Sequence, residues 1–299
     1  MKQLAVISGK GGTGKTILSA SFAVLSSDKV MADCDVDAAN LHLLLHPDIL
    51  ERHTFSGGKE ARLSQERCTG CGRCLESCRF DAVSENGEGE FRIDPVACEG
   101  CEVCRHVCPS DAIDMKDADT GEWYTSETAF GPFIHARLNI GAESSGKLVT
   151  EVRKQAQTLA DQRGLDLILI DGPPGIGCPV IATLSGVDLA LVVTEPTPSG
   201  VQDMDRVVRA AQHFGIRAAC CINKHDLNPS LTAEIEAWCS QQGVEVVGRI
   251  PFDGGVAEAI TQGTPPVLFL KNGTAEAIRE TWGRTSEILK NLGKEAQVP

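Results

Sequence analysis

Short unbroken apolar runs alternate along the chain with longer stretches of helical period. Leu4-Ala5-Val6-Ile7 leads into glycines, Ile17 to Leu25 then reads as a helix, and Val30-Met31-Ala32 as a second strand. Leu165 to Ile170, Leu189 to Val193, Ala218 to Ile222 and Val244 to Ile250 repeat the strand pattern. Apolar residues in succession, rather than in alternation, suit strands buried on both faces, as in a parallel sheet. Gly200 to His213, Leu231 to Gln242 and Ala275 to Gln297 carry the helical period. Strand and helix in turn predict an α/β fold with a doubly wound, mostly parallel sheet.

The alternation stops between residues 60 and 120. Ser56-Gly57-Gly58 and Asp117 to Gly121 carry turn chemistry and predict the two ends of an inserted small α+β unit, with residues 1–59 and 121–299 forming the main domain. Residues 122–140, with Trp123, Tyr124, Phe130 and Phe133, predict a hairpin packing the insert onto that domain.

Within the insert one cysteine pattern occurs twice. Cys68, Cys71, Cys74 and Cys78 read C-x2-C-x2-C-x3-C, and Cys98, Cys101, Cys104 and Cys108 repeat it 30 residues later, followed by Pro109 where the first copy has Arg79. This spacing holds 4Fe-4S clusters, and where two runs occur the fourth cysteine of each ligates the other cluster. The expected sets are Cys68, Cys71 and Cys74 with Cys108, and Cys98, Cys101 and Cys104 with Cys78. Disulfides or two zinc sites are the competing readings. The opening apolar run is too short for a signal peptide, so a reducing cytoplasm is expected and disulfides are disfavoured. Zinc sites usually pair two C-x-x-C units across a longer spacer.

Ser8 to Thr16 contains G-x-x-x-x-G-K-T between a predicted strand and a predicted helix. In that context the backbone N–H groups of Gly9, Lys10, Gly11, Gly12, Thr13 and Gly14 would close around phosphates at a helix N-terminus. Lys15 would reach the β and γ phosphates, and the Thr16 hydroxyl would hold Mg2+. Asp33-Cys34-Asp35-Val36-Asp37 follows the second strand, and Asp171 ends the Leu165 to Ile170 run, as a metal-directed carboxylate would. The Asp33 to Asp37 cluster is open to a plainer reading, as a cap for a helix over Ala38 to Leu45.

GKGGTGKT, the run Asp33 to Leu41, and Asp171-Gly172-Pro173-Pro174-Gly175 together resemble the deviant Walker A ATPases of the MinD/ParA/Mrp group. The resemblance implies that Lys10 reaches the nucleotide of a second subunit, that Asp35 positions the attacking water and that Asp33 acts near Mg2+. It also implies that Asn223 contacts adenine. The tetrad Asn223-Lys224-His225-Asp226 leaves ATP and GTP both open on residues alone, and the resemblance favours ATP. Taken whole, the chain resembles MinD-superfamily ATPases carrying an inserted two-cluster ferredoxin domain.

Net charge is −13, and 7 basic against 13 acidic side chains fall between residues 60 and 118. Such a chain does not favour phosphate backbones, so no nucleic-acid partner is expected. No run approaches the ~18 apolar residues of a membrane span, so no membrane anchor is expected. Cys34, Cys220, Cys221 and Cys239 read as small core residues. Cys178 stands where the nitrogenase iron protein, a branch of the resembled group, carries a ligand to a bridging cluster. The seven histidines form no ligand spacing. The resulting expectation is an Mg-dependent ATPase whose homodimer, formed in the ATP state, switches with nucleotide and gates electron transfer through two 4Fe-4S clusters to a redox partner. Its rivals are a cluster assembly and delivery ATPase serving a client protein, and a positioning ATPase with redox-sensing clusters.

Overall fold

The structure, a computed structural model, describes residues 1–139, 141–142 and 144–295. Its strands are β1 (Lys2–Ser8), β2 (Lys29–Asp33), β3 (Asp48–Leu63), β4 (Val83–Glu85), β5 (Phe91–Ile93), β6 (Ile113–Thr128), β7 (Gly131–Leu138), β8 (Leu167–Pro174), β9 (Leu189–Thr194), β10 (Arg217–Asn223) and β11 (Glu245–Ile250). The helices are α1 (Lys15–Leu25), α2 (His42–Leu45), α3 (Arg73–Ser77), α4 (Val103–Val107), α5 (Ser145–Arg163), α6 (Cys178–Leu184), α7 (Pro198–His213), α8 (Pro229–Gln241), α9 (Gly255–Thr261), α10 (Pro266–Phe269) and α11 (Gly273–Glu295).

The main sheet runs β11-β10-β9-β1-β8-β2-β7-β6-β3. Every pairing from β11 to β7 is parallel, and β6 and β3 extend the edge antiparallel. The unbroken apolar runs have the physical cause expected of them, because both faces are covered. Leu4 and Val6 of β1 face a layer with α1 and α11 residues Leu18, Phe22 and Ile278, while Ala5 and Ile7 face Val152, Val208 and Ile235 of α5, α7 and α8. At roughly 1.5–3 kcal/mol for each large apolar side chain buried, the two layers fix the strand registers. Ala275 to Gln297 is helical as far as Glu295, and the last two residues lie outside the described ones.

The expected linkers are corrected. β3 and β6 are each 16 residues long and pair from Asp48↔Glu127 to Leu63↔Ile113 without leaving the ladder. Ser56-Gly57-Gly58 and Asp117 to Gly121 are bulged positions inside this ribbon. Phe55 pairs with Gly121, Ser56 with Asp119 and Gly58 with Ala118, leaving Thr120 and Gly57 as the extra residues. Small and short polar residues suit a bulge for the same backbone reasons that they suit a turn, so composition did not separate the two.

At the far end of the ribbon lies a small unit in two equivalent halves. The pairs Leu63↔Ile113, Arg62↔Asp114 and Ala61↔Met115 recur 30 residues on as Ile93↔Val83, Arg92↔Ser84 and Phe91↔Glu85. Helices α3 and α4 follow the same shift, and so do the left-handed residues Gly72 (φ 71°) and Glu102 (φ 65°), Asp81 (φ 53°) and Asp111 (φ 48°). The unit's apolar core is small, built on Ala61, Val83, Phe91 and Ile113 with cysteines packed around them. A core of that size needs a staple.

The symmetry supplies its own control experiment. Gly70 and Gly100 are equivalent, both left-handed, but a Cβ on Gly100 would stand 2.2 Å from the Lys59 carbonyl oxygen, whereas nothing comes nearer than 3.9 Å at Gly70. Gly70→Ala is expected to cost about 1–2 kcal/mol for the backbone conformation alone, and Gly100→Ala roughly twice that or more because the ribbon must also shift. Denaturation of the two variants side by side checks the ranking. Equal losses would mean that the Lys59 contact is not a constraint.

Candidate functional site

The loop between β1 and α1 lies at the carboxyl end of a central parallel strand, flanked by β8 and β9, where open α/β sheets bind ligands. Gly14 caps α1 in the left-handed region at φ 96°, and a Cβ there would meet Asn223 Nδ2 at 2.3 Å. Asn223 Nδ2 donates to the Thr13 carbonyl at 2.8 Å and Lys224 Nζ to the Gly12 carbonyl at 3.2 Å. The loop is thus held from outside by the end of β10. Asp226 Oδ1 accepts from the Phe252 amide at 2.7 Å, so its carboxylate braces the neighbouring β11 loop.

Lys10 is engaged by residues that follow β9. Its Nζ pairs with Glu195 at 2.7 Å and donates to the Thr197 and Ser199 hydroxyls at 3.0 and 3.1 Å. Glu195 also pairs with Lys224 at 2.9 Å. Burial would raise the Glu195 carboxyl's pKa, but hydrogen bonds from the two lysines outweigh it and hold it below the ordinary carboxylate range. Sequence reasoning passed over Glu195. Its position at the carboxyl end of a parallel strand, in a loop facing two lysines, was the available signal.

Lys15 Nζ lies among three oxygens, Asp35 Oδ2 at 3.2 Å, Asp171 Oδ1 at 3.3 Å and Thr16 Oγ1 at 3.2 Å. Burial would lower the Lys15 pKa, but Asp171, Asp35 and Asp33 more than offset it, so the ammonium remains charged. Asp33 is fully buried, and burial followed by the charge of Asp171 pushes its carboxyl well above the usual range, with Lys15 opposing. Burial raises Asp35 against the same lysine. Asp33 accepts from the amides of Asp35 and Leu41 at 3.1 and 3.3 Å, so it shapes the loop after β2. The helix that follows is only the four-residue α2, shorter than the Ala38 to Leu45 span read as its alternative.

Three carboxylates thus surround one ammonium. Asp171 Oδ1 accepts from Ser19 Oγ at 2.8 Å, whereas Asp171 Oδ2 and Thr13 Oγ1 are buried with no partner. A buried unpaired polar atom costs about 1–3 kcal/mol, and more when charged. Excess negative charge, an unpartnered hard oxygen donor and the adjacent Thr16 hydroxyl fit a divalent cation such as Mg2+.

None of the thirteen cysteines is joined to another in a disulfide. Cys34, Cys220, Cys221 and Cys239 are fully buried, and burial pushes the Cys221 thiol up to about 12. Cys78, Cys98, Cys101 and Cys104 line one small cavity together with Phe80, Ile93 and Val103. Cys68 and Cys71 lie close enough to Cys74 for their charges to add to the burial that raises its thiol. Cys108 Sγ accepts from the Ala112 amide at 3.3 Å, and Cys98 Sγ from the Ala61 amide at 3.5 Å. Among the described residues no three His, Cys, Asp or Glu side chains converge on a single-ion position. Cys178 is exposed at the start of α6, in the lining of a cleft of about 970 Å³ that Cys98 also lines.

The profile of the CobQ/CobB/MinD/ParA nucleotide binding domain matches residues 4–267. An uncharacterized protein of Methanocaldococcus jannaschii is 33% identical over 293 residues, covering 96% of this chain and 97% of that one. An iron-sulfur cluster carrier protein of Pyrococcus horikoshii is 28% identical over 161 residues, 49% of this chain and 54% of that one. The MinD structure from Pyrococcus horikoshii, in complex with Mg-ADP, is similar in fold with a TM-score of 0.59 at 19% identity, covering 99% of both chains. The cell division ATPase MinD of Pyrococcus furiosus is similar with a TM-score of 0.58 at 19% identity, covering 96% of this chain and 99% of that one. No described helix is long and apolar enough to cross a membrane. An α/β fold with a mostly parallel sheet, a glycine-rich loop beside clustered carboxylates and the match over most of its length have one meaning: the chain belongs to the CobQ/CobB/MinD/ParA family of nucleotide-binding proteins.

Proposed function

We propose that the protein is a cytoplasmic Mg-dependent ATPase in which nucleotide-driven switching of a homodimer controls one-electron transfer through two 4Fe-4S clusters. Lys15 binds the β and γ phosphates, Thr16 and Asp171 serve the Mg2+ site, and Asp35 orients water. The two-fold repeated unit at the far end of the ribbon, within residues 60–120, is a ferredoxin-like insert. Cys68, Cys71, Cys74 and Cys108 hold one cluster, and Cys98, Cys101, Cys104 and Cys78 hold the other, each supplying one-electron chemistry when bound. The observation that carries this reading is the cavity in which Cys78, from the first half of the unit, meets the three cysteines of the second. Crossed ligation of two clusters requires that meeting, and two independent zinc sites do not.

Lys10 serves the nucleotide of the second subunit, which requires it to leave Glu195. The pair is partly exposed, with side chains 27% and 15% accessible. Ion pairs near a surface are worth about 0–1 kcal/mol, so the exchange is energetically open.

The experiment is a redox titration in the ATP- and ADP-bound states. A nucleotide-linked conformational change is expected to move a midpoint potential by ~60 mV, equivalent to about 1.4 kcal/mol for one electron and a typical size for coupling between sites. Cluster assembly and delivery to a client is the second reading. Similarity to a named cluster carrier over half the chain favours it, as do the exposed thiols of Cys71 and Cys101. Potentials that ignore nucleotide, with ATP-dependent loss of iron to an apo-client, would replace gating by delivery.

A further inference from the structure

The bulge in the β3–β6 ribbon is pinned from three directions. Thr120 Oγ1 accepts from the Gly57 amide at 3.0 Å and from Ser144 Oγ at 2.8 Å, at the N-terminus of α5. Lys147 Nζ, one turn into α5, donates to the Gly57 carbonyl at 2.7 Å. Asn139 closes the third side, its amide donating to the Thr120 carbonyl and its Nδ2 to the Asp119 carbonyl, both at 2.9 Å. Two of these directions lead back to the nucleotide loops. Asn139 follows Leu138, whose amide donates to the Val36 carbonyl at 3.3 Å, one residue after Asp35. Helix α5 packs on α6, and Gly146 lies against Cys178, seven residues after Asp171.

The far side of the bulge presses on one cysteine set more closely than on the other. Two residues beyond Gly57, the Lys59 carbonyl crowds Gly100, and Lys59 Nζ pairs with Glu102 at 3.5 Å. The Ala61 amide donates to Cys98 Sγ at 3.5 Å. The other set also borders the ribbon, since the Ala112 amide that donates to Cys108 Sγ directly precedes β6, but at Gly70, the equivalent of Gly100, nothing comes nearer than 3.9 Å to the place of a Cβ.

We infer that the Gly57–Thr120 bulge is the lever by which nucleotide state reaches the small unit, and that it acts on the Cys78/Cys98/Cys101/Cys104 site rather than the Cys68/Cys71/Cys74/Cys108 site. The inference rests on the reading of the cysteines as cluster ligands, and it adds a direction: the second site is the nucleotide-controlled one. N–H···S hydrogen bonds are among the levers that set a cluster's potential. A ribbon that rotates at its bulge carries Lys59 and Ala61 with it, and so changes the packing on Gly100 and the bond to Cys98 Sγ.

Amide hydrogen exchange of the full-length protein, iron-loaded and iron-free, tests the lever without reference to activity. Residues 56–61 and 118–121 are expected to exchange at rates differing about tenfold between ATP and ADP, a size typical of coupling between sites. Thr120→Val, which takes the acceptor from two donors, and Lys147→Met are each expected to abolish that difference while ATP hydrolysis continues. In the iron-loaded protein, the nucleotide-linked potential shift should vanish in Cys98→Ala and persist in Cys71→Ala. Exchange that ignores nucleotide in the wild type would overturn the lever. A shift that survives Cys98→Ala would overturn its direction. Failure to bind iron at all would instead overturn the reading of the cysteines, and the iron-free exchange arm would still decide the lever.

Discussion

Lys15→Ala is expected to lose on the order of 10²-fold in nucleotide affinity, whereas Asp35→Ala keeps its affinity and loses ~10²–10⁴-fold in turnover. Lys15 is the only cation within reach of the Asp33, Asp35 and Asp171 group among the described contacts. Hydrogen bonds to charged groups are worth about 1.5–3 kcal/mol each, and 1.4 kcal/mol is tenfold in binding. Asp35, more exposed than Asp171, is the residue proposed to orient water, so its loss is expected to fall on kcat. A second signature separates the two variants. Removing Lys15 leaves Asp33 and Asp35, whose carboxyls burial already raises, without the cation that opposes the rise, so their folded-state pKa values climb further above the unfolded values. The folded state then binds more protons than the unfolded one, and the Lys15→Ala protein should regain stability as the pH falls. Equilibrium nucleotide binding, single-turnover hydrolysis and melts at two pH values check all three. Equal losses of affinity in both variants would remove the assignment of Asp35 to water.

Anaerobically prepared protein is expected to carry about eight irons per chain, and Cys98→Ala and Cys71→Ala about four each, with nucleotide binding preserved in both. The separation follows from the layout, since the cysteine unit is carried at the end of a ribbon and has its own small core. Its cysteines also differ in exposure. Cys74 is buried whereas Cys71 and Cys101 are exposed, so added iron can reach a site already partly organised by packing. Iron and zinc analysis with visible and magnetic spectroscopy decides the matter. A colourless, zinc-loaded protein would end the cluster reading and the gating proposal with it.

Much of this was legible in the sequence because its causes are local. The central strands appeared as unbroken apolar runs because both faces of each are buried, and the phosphate loop appeared because its glycines have backbone work to do. The repeat of 30 residues showed in the cysteines and extends to strand register. What the sequence concealed was set by partners distant in the chain. The run from Asp48 to Leu63 reads as turns and charges, since most of it is an exposed edge with a single neighbour, β6. The ribbon bulge looked like two linkers because Gly57 and Thr120, 63 residues apart, become a bulge only when paired. Glu195 was overlooked for the same reason, as its two lysines, Lys10 and Lys224, come from different loops of the domain.

The pairing of Leu63 with Ile113 has a consequence for the ancestry and engineering of the chain. The ladder continues one step further through the Ser64 amide to the Ala112 carbonyl at 2.8 Å, so the two strands stand at hairpin distance where residues 65–111 depart and return. A two-residue turn could close them. Loop tips are where whole domains are most readily gained and lost. A chain shortened by residues 65–111 is therefore expected to keep every strand of the nucleotide-binding sheet, because β4 and β5 form a sheet of their own.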